Sequence, residues 1–400
     1  VLAGVTTVTS VKVGAAVTIS ESGIEASGIG ITCANINGGA IGGRRNLVIN
    51  GDMRIAQRAT TNNTAGASST YNTLDRYMVQ IQAGTLTESQ QDLSSSDTPY
   101  TLGFRKYMRI LNQSGIGAGA AQYAEIDQRI EAQDVAQSGW NYTSSSSFIT
   151  LSFWVRASVA QAYVAVVYTN DGTQRHYPFE IKDSGGSTLS ADTWTKITKT
   201  IPGDSGITVS NDSGNGLTLS FIASYGTNYT SDSGNFDAWN TTGGGTNRWP
   251  DMTTTWATTT NATFDITGVQ LEVGTEATAF EHRSFGEELS LCQRYYYKHV
   301  EGDALDFGVG TYYTASLFAF SVKFPVTMRA APTADYVTGT GYYRIFHSNT
   351  NDLFDVMSIT RAQTNTAAFD TGTGTSGVQG AGGILATANS SAYIGFTAEL

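Results

Sequence analysis

"SFITLSFWVRAS" (Ser147–Ser158) alternates so that Leu151, Phe153 and Val155 share one face while Trp154 takes the other. Period two with aromatic and β-branched residues is the pattern of a strand. The same reading extends on both sides, through "RKYMRIL" (Arg105–Leu111), "QYAEIDQRI" (Gln122–Ile130) and "AYVAVVYT" (Ala162–Thr169). It continues in "TWTKITKTI" (Thr193–Ile201), "LTLSFIASY" (Leu217–Tyr225) and "TFDITGVQLEV" (Thr263–Val273). Turn signals such as "NDG", "DSGG" and "NDSGNG" separate these runs. Strands at this spacing predict an all-β chain whose centre, residues 46–285, is a jelly-roll sandwich of two antiparallel sheets. Only "IEAQDVAQ" (Ile130–Gln137) and "GEELSLCQRYYY" (Gly286–Tyr297) read as helical. In the second, Leu289, Cys292 and Tyr296 fall on one face.

Composition supports this class. Charged residues make up 14% of the 400 residues, with 44 Gly, 20 Tyr and only 6 Pro. Ordinary soluble domains carry roughly a quarter charged residues. The formal net charge of −11 repels phosphate backbones and argues against nucleic-acid binding. No apolar run reaches the roughly 20 residues that span a bilayer, so no membrane insertion is expected. The chain opens on Val1, as a processed chain or a fragment would. Cys33 and Cys292 are too few and too far apart for a disulfide framework or a zinc site and read as buried thiols made in a reducing cytoplasm. Neither metal nor cofactor is expected; "NDSGNG" and "SDSGNFD" lack the closing Glu of an EF-hand loop and read as solvated turns.

The two ends differ from the centre. Residues 1–45 alternate Val and Ile with small polar residues, contain no aromatic, and cannot build a core alone. They are expected to form an intertwined β shaft that gains stability by pairing with copies of itself in a homotrimer, followed by a flexible joint, "NGGAIGGRR" (Asn37–Arg45). Residues 299–400 restart the strand pattern and are enough for a small C-terminal antiparallel β domain. "VKFPVTMRAAP" (Val322–Pro332) reads as an edge strand running into a turn. Residues 286–298 form a short helical connector.

"NLVINGDMRIAQR" (Asn46–Arg58), "YNTLDRYMV" (Tyr71–Val79), "LSFWVRA" (Leu151–Ala157), "TWTKIT" (Thr193–Thr198) and "GVQLEVGTEATAFEHRSFGEELSLCQRYY" (Gly268–Tyr296) occur in this order. Together they resemble a family of bacteriophage tail-fibre and virion proteins with a carbohydrate-binding-module-like jelly roll. The resemblance implies a homotrimeric fibre or tail tip, assembled in the host cytoplasm and carried on the virion tail. Its implied partners are other tail proteins and a host cell-surface glycan. It transfers no catalytic residue. An adaptor or decoration protein of the virion, and a surface-glycan hydrolase, are the alternatives.

The richest chemical segment is "FEHRSFGEELSLCQRYYYK" (Phe280–Lys298). His282 and Cys292 lie ten apart, and Glu287 and Glu288 would raise the thiol pKa, so a Cys–His nucleophile is disfavoured. The segment reads as a connector: Phe280 and Phe285 anchor the sandwich end, Glu287 and Glu288 suit a helix first turn, and Arg294 suits its end. Asp75 and Arg76 are expected to pair. For binding, the long segment Ser224–Trp256 supplies Tyr225, Tyr229, Asp237, Trp239, Trp249 and Trp256, rings and acceptors of the kind that hold sugars. Tyr312, Tyr313, Tyr342 and Tyr343 are the candidates for a receptor surface in the C-terminal domain.

Overall fold

A computed structural model describes residues 17–20, 23–26, 44–230, 235–241 and 250–400. Within the first 43, Val17–Ser20 and Gly23–Ala26 pair as an antiparallel hairpin; the rest of the expected shaft and joint lies outside the described residues.

Two sheets face each other in the central unit. The seven-stranded one orders Asn240–Thr241, Arg175–Ile181, Tyr163–Thr169, Asn215–Tyr225, Tyr123–Glu131, Tyr77–Ile81 and Ser68–Thr70. The six-stranded one orders Thr195–Pro202, Phe148–Ala157, Thr263–Val273, Lys106–Asn112, Thr85–Asp92 and Thr61–Ala65. Every pairing is antiparallel. The core between them takes Leu151, Phe153 and Val155 from one sheet and Leu217, Leu219 and Phe221 from the other. Trp154 points out of the sandwich and packs with Phe104, Tyr107 and Trp194. All seven runs named from the sequence are strands here, within two residues at each end.

A bulge sets the inward residues of Thr263–Val273. Phe264 and Ile266 face the core, and so do Val269 and Leu271, an odd step that simple alternation forbids. The register against Phe148–Ala157 shifts between Thr267 and Gln270, with Gly268 at φ +64°. An extra residue in one strand re-aims the side chains beyond it, and glycine takes the left-handed conformation without a Cβ penalty.

The C-terminal unit packs a three-stranded sheet (Tyr296–Glu301, Tyr393–Thr397, Thr333–Tyr336) and a seven-stranded sheet. The latter orders Thr350–Phe354, Tyr343–His347, Gly382–Thr387, Asp306–Thr314, Leu317–Lys323, Thr366–Thr371 and Ser358–Ala362. Phe307, Phe320, Phe369 and Phe396 fill its core. The expected edge strand at Val322 is corrected: Leu317–Lys323 is an interior strand paired on both sides. It stops before Pro325, so the prolines end the strand and do not sit in its ladder.

The connector is a packed seam. Ser284 caps the helix Phe285–Gln293 by accepting from Glu287 N, with Glu287 and Glu288 in the first turn. Glu288 accepts the Asn50 amide at 2.5 Å, and Arg283 donates to the Asn46 and Val48 carbonyls and to Glu288. Cys292 is a buried free thiol packed with Ile49, Ile55 and Tyr295, and burial pushes its pKa well up. Three expectations are corrected here. The helix ends at Gln293, so Tyr296 begins the strand Tyr296–Glu301 and does not share a helical face with Leu289 and Cys292. Phe285 is 59% exposed, so Phe280 alone packs on the sandwich, edge-on against Phe104. Asp75 and Arg76 are both buried but take different partners: Asp75 accepts from Gln57, and Arg76 pairs with Glu399. Both residues lie in the turn before the strand Tyr77–Ile81, and the left-handed Arg76 backbone, at φ +72°, goes with its side chain pairing away from Asp75. Arg294 clasps Glu131 through two bonds of 2.7 and 2.8 Å. A hinge would not be fastened this often.

Candidate functional site

The outer face of the sandwich's seven-stranded sheet carries a cleft of about 400 Å³. It starts with alternation in "YAEIDQRI": Ala124, Ile126 and Ile130 enter the core, which sends Tyr123, Glu125, Asp127 and Arg129 outward. The neighbouring strand would bury Tyr225 if its alternation held. Its register shifts between Ile222 and Ser224, and Tyr225 turns outward opposite Tyr123. The two rings stack at 5.4 Å and 14°, and Tyr229 stands edge-on to both at 5.4 Å. Tyr168, Asn170, Gln174 and Gln80 complete the walls. Beyond them Val164, Val166 and Ile222 pack against Phe236 and Met252.

Polar groups in the cleft are tied together. The Tyr225 hydroxyl donates to Glu125 Oε1 at 2.9 Å, and Gln80 Nε2 donates to Glu125 Oε1 at 3.2 Å and to Asp127 Oδ2 at 2.6 Å. Ser220 donates to the other Asp127 oxygen. Burial pushes the Asp127 carboxyl up to about 6, against hydrogen bonds and the Arg129 charge that pull it down. Burial, with the nearby acids, also raises the Tyr168 and Tyr225 phenols well above their ordinary range, so both remain donors at neutral pH. The arrangement is a fixed set of ring edges, carboxylate acceptors and amide donors around an open slot. Donors, acceptors and ring edges set side by side are the chemistry that matches a hydroxyl-rich ligand.

The sequence-chosen residues scatter. Tyr225 and Tyr229 meet in this cleft. Asp237 and Trp239 close the sandwich edge, Asp237 pairing with Lys199 and the Trp239 indole donating to Pro202 O at 2.6 Å against the Tyr177 ring. Trp256 is corrected: it is fully buried in the core and offers no open face to a sugar. Trp249 lies outside the described residues. In the C-terminal unit Tyr312 and Tyr343 are corrected in the same way, since strand alternation turns them inward. The Tyr312 hydroxyl is satisfied by Asp352, and that of Tyr343 by the Val337 and Tyr393 carbonyls. Tyr313 is 70% exposed and Tyr342 half-buried. Sequence reasoning did not bring Tyr123, Glu125, Asp127 or Gln80 to the site; the alternation Tyr123, Glu125, Asp127, Arg129 in "YAEIDQR" was the available signal for the first three, and Gln80, on the strand Tyr77–Ile81, had none.

His282 and Cys292 do not meet. His282 packs on Phe104 and Phe280 at the opposite sheet, its Nε2 3.0 Å from Leu102 O. Among the described residues no cluster of His, Cys, Asp and Glu could hold a metal ion, and no helix is long and apolar enough to cross a membrane.

No protein-family model and no curated protein matches the chain. Solved structures overlap it loosely. The enzymatically active domain of tailspike protein 4 of bacteriophage CBA120 has 9% identity and a TM-score of 0.26, over 57% of this chain and 21% of that one. A family 11 carbohydrate-binding module of a Clostridium thermocellum cellulosomal cellulase has 11% identity and a TM-score of 0.25, over 55% and 100%. The CBM22-1 xylan-binding domain of a Paenibacillus barcinonensis protein has 9% identity and a TM-score of 0.21, over 54% and 95%. At this distance the chain's own geometry has to carry any reading of its function.

Proposed function

We propose that the chain binds glycan through the tyrosine-lined cleft, as a non-enzymatic fibre or tip protein of a bacteriophage tail that recognises its host's surface polysaccharide. One observation carries the binding reading: stacked and edge-on Tyr123, Tyr225 and Tyr229 stand beside Glu125 and Gln80 in an open slot. Sugars present apolar C–H faces to rings and hydroxyls to carboxylates and amides, and here both kinds of group are already in place. The phage setting rests on the motif resemblance. Homotrimerisation rests on a first segment with too little apolar bulk to fold alone. Three weak sites on one trimer would bind a cell surface far more tightly than one.

The test is glycan binding by calorimetry and arrays, with Tyr229→Ala and Tyr123→Ala. Each substitution should weaken binding about fivefold, the loss of a ring contact being worth about 1 kcal/mol. Absence of binding to any glycan or host envelope fraction would leave the virion adaptor role standing instead. The hydrolase reading has one observation of its own, the raised Asp127 carboxyl beside Glu125. It predicts sugar release that Glu125→Gln abolishes. Sedimentation of the purified chain tests the trimer.

A further inference from the structure

A second cleft, about 550 Å³, opens where the sandwich edge meets the C-terminal unit. Asn62, Ser69, Thr70, Tyr71 and Asn72 line it from the sandwich, and Tyr296, Glu301, Asp335 and Tyr393 from the other side. Its groups are held in fixed positions. Asp335 accepts the Tyr296 hydroxyl at 3.0 Å and the Tyr393 hydroxyl at 3.1 Å. The Arg58 guanidinium lies 3.6 Å over the Tyr296 ring and 3.2 Å from Glu399. Lys298 pairs with Glu301 at 2.9 Å. The two lining cations, Arg58 and Lys298, are matched in number by the lining acids Glu301 and Asp335, so the cleft carries no surplus positive charge that would select an anionic ligand.

The two clefts are neighbours on one face. Ser69 lies directly opposite Gln80 in the ladder, and Gln80 opposite Glu125. Directly opposed residues share a sheet face, so the row leads from one cleft to the other. Hydrogen bonds run along it: Ser69 Oγ donates to Gln80 Oε1 at 2.8 Å, and Gln80 Nε2 to Glu125, which also accepts from Tyr225. A second link runs along the seam, where the Leu400 carbonyl accepts from Arg129 of the first cleft and Tyr71 of the second.

We infer that the interdomain cleft is a second subsite, continuous with the tyrosine cleft, and that the ligand is a neutral linear glycan lying across both. This deepens the glycan-binding reading and rests on it. Recognition is then of an internal stretch of polysaccharide, with the C-terminal unit supplying half the grip. Two linked subsites bind a chain that spans them with a gain set by effective concentration.

The experiment is calorimetric titration with size-fractionated dextran, xylan and mannan oligomers, from disaccharide to octasaccharide. For at least one series, affinity should rise on the order of tenfold or more once the oligomer is long enough to reach the second cleft. Tyr393→Ala removes one wall and Glu301→Trp fills the mouth; neither residue lines the tyrosine cleft. In both variants the short oligomers should bind as before, and the long ones should fall to the affinity of the short. Affinity that stays flat with length, or length-dependent gain that survives both variants, overturns the second subsite and leaves the first cleft standing. Failure of every oligomer to bind overturns both.

Discussion

Neutralising Glu399 should loosen the C-terminal unit from the sandwich. Its carboxylate lies between Arg58, at 3.2 Å, and Arg76, whose side chain is 1% exposed. Arg76 also donates to the Arg129 carbonyl at 2.5 Å and lies 3.5 Å over the Tyr295 ring. In Glu399→Gln the Arg76 charge stays buried and loses its counter-ion. Breaking a buried pair from one side costs about 3–5 kcal/mol. The amide oxygen still accepts one bond, so a loss near 3 kcal/mol is expected. Replacing both partners, as Arg76→Met with Glu399→Leu, removes the fully buried charge and leaves only Arg58, 10% exposed and stacked on Tyr296, without its acid. That double variant forfeits the Arg129 bond and the ring contact, each worth about 1 kcal/mol. It should therefore lie within about 2 kcal/mol of wild type, with clearly non-additive coupling. Urea unfolding followed by tryptophan fluorescence gives the energies. Calorimetry shows whether the two cores still melt together, since a chain with two cores need not be two-state. A loss below about 1 kcal/mol in Glu399→Gln, or additive losses in the double variant, would refute the reasoning.

Buried groups and the bulge lead to three further outcomes. Gly268→Ala should cost about 2–4 kcal/mol by chemical denaturation: a Cβ there would lie 2.8 Å from Phe104 Cζ at φ +64°, which adds left-handed strain to over-packing. Burial pushes the Asp75 and Asp127 carboxyls up to about 6, so between about pH 4 and 6 the folded chain holds protons that the unfolded chain has released. Stability should therefore rise as pH falls from 7 towards 5, by on the order of 1–2 kcal/mol, the two carboxyls outweighing His299, whose pKa burial lowers and which opposes them in the same window. It should drop again at lower pH, where Glu131 and Glu281, held below their usual range by their partners, take up protons; urea midpoints across pH that fall steadily from 7 to 5 would contradict this. Cys292, buried with its pKa raised, should resist iodoacetamide at pH 8 until denaturant is added, as read from its peptide by mass spectrometry.

Strand alternation made most of the sandwich legible, because "LSFWVRA" and its neighbours need only period two to tell their faces apart. The strand Arg175–Ile181 was missed because Pro178 reads as a breaker. It is tolerated next to the sheet edge, where its carbonyl accepts from Asp237 N at 2.8 Å. The two bulges were not legible either. Gly268 announces itself as a glycine, but no residue type marks the shift between Ile222 and Ser224 that turns Tyr225 outward. The site was half visible for the same reason. Counting rings along Ser224–Trp256 picked Tyr225 and Tyr229, yet it also picked Trp256, since aromatic content does not say which way a ring points. The acids that meet those tyrosines sit about a hundred positions earlier, on a strand adjacent only after folding.

That adjacency also shows what the reactive groups of Phe280–Lys298 are used for in this fold. Several of its charges tie chain parts together: Arg283 with Glu288 and the Asn46 carbonyl, Arg294 with Glu131, and Lys298 with the Arg58 carbonyl. Each of these bonds crosses from the helix or its flanks to the sandwich, or braces one that does. Glu131 ends the strand that carries Tyr123, Glu125 and Asp127, and Tyr296 walls the second cleft. The seam thus fixes the spacing of the two clefts. A ligand that spans them meets a surface already set to its length, and pays less ordering entropy than it would on a jointed pair of units. Loosening the seam at Glu399 should accordingly weaken long oligomers more than short ones, even though Glu399 lines neither cleft.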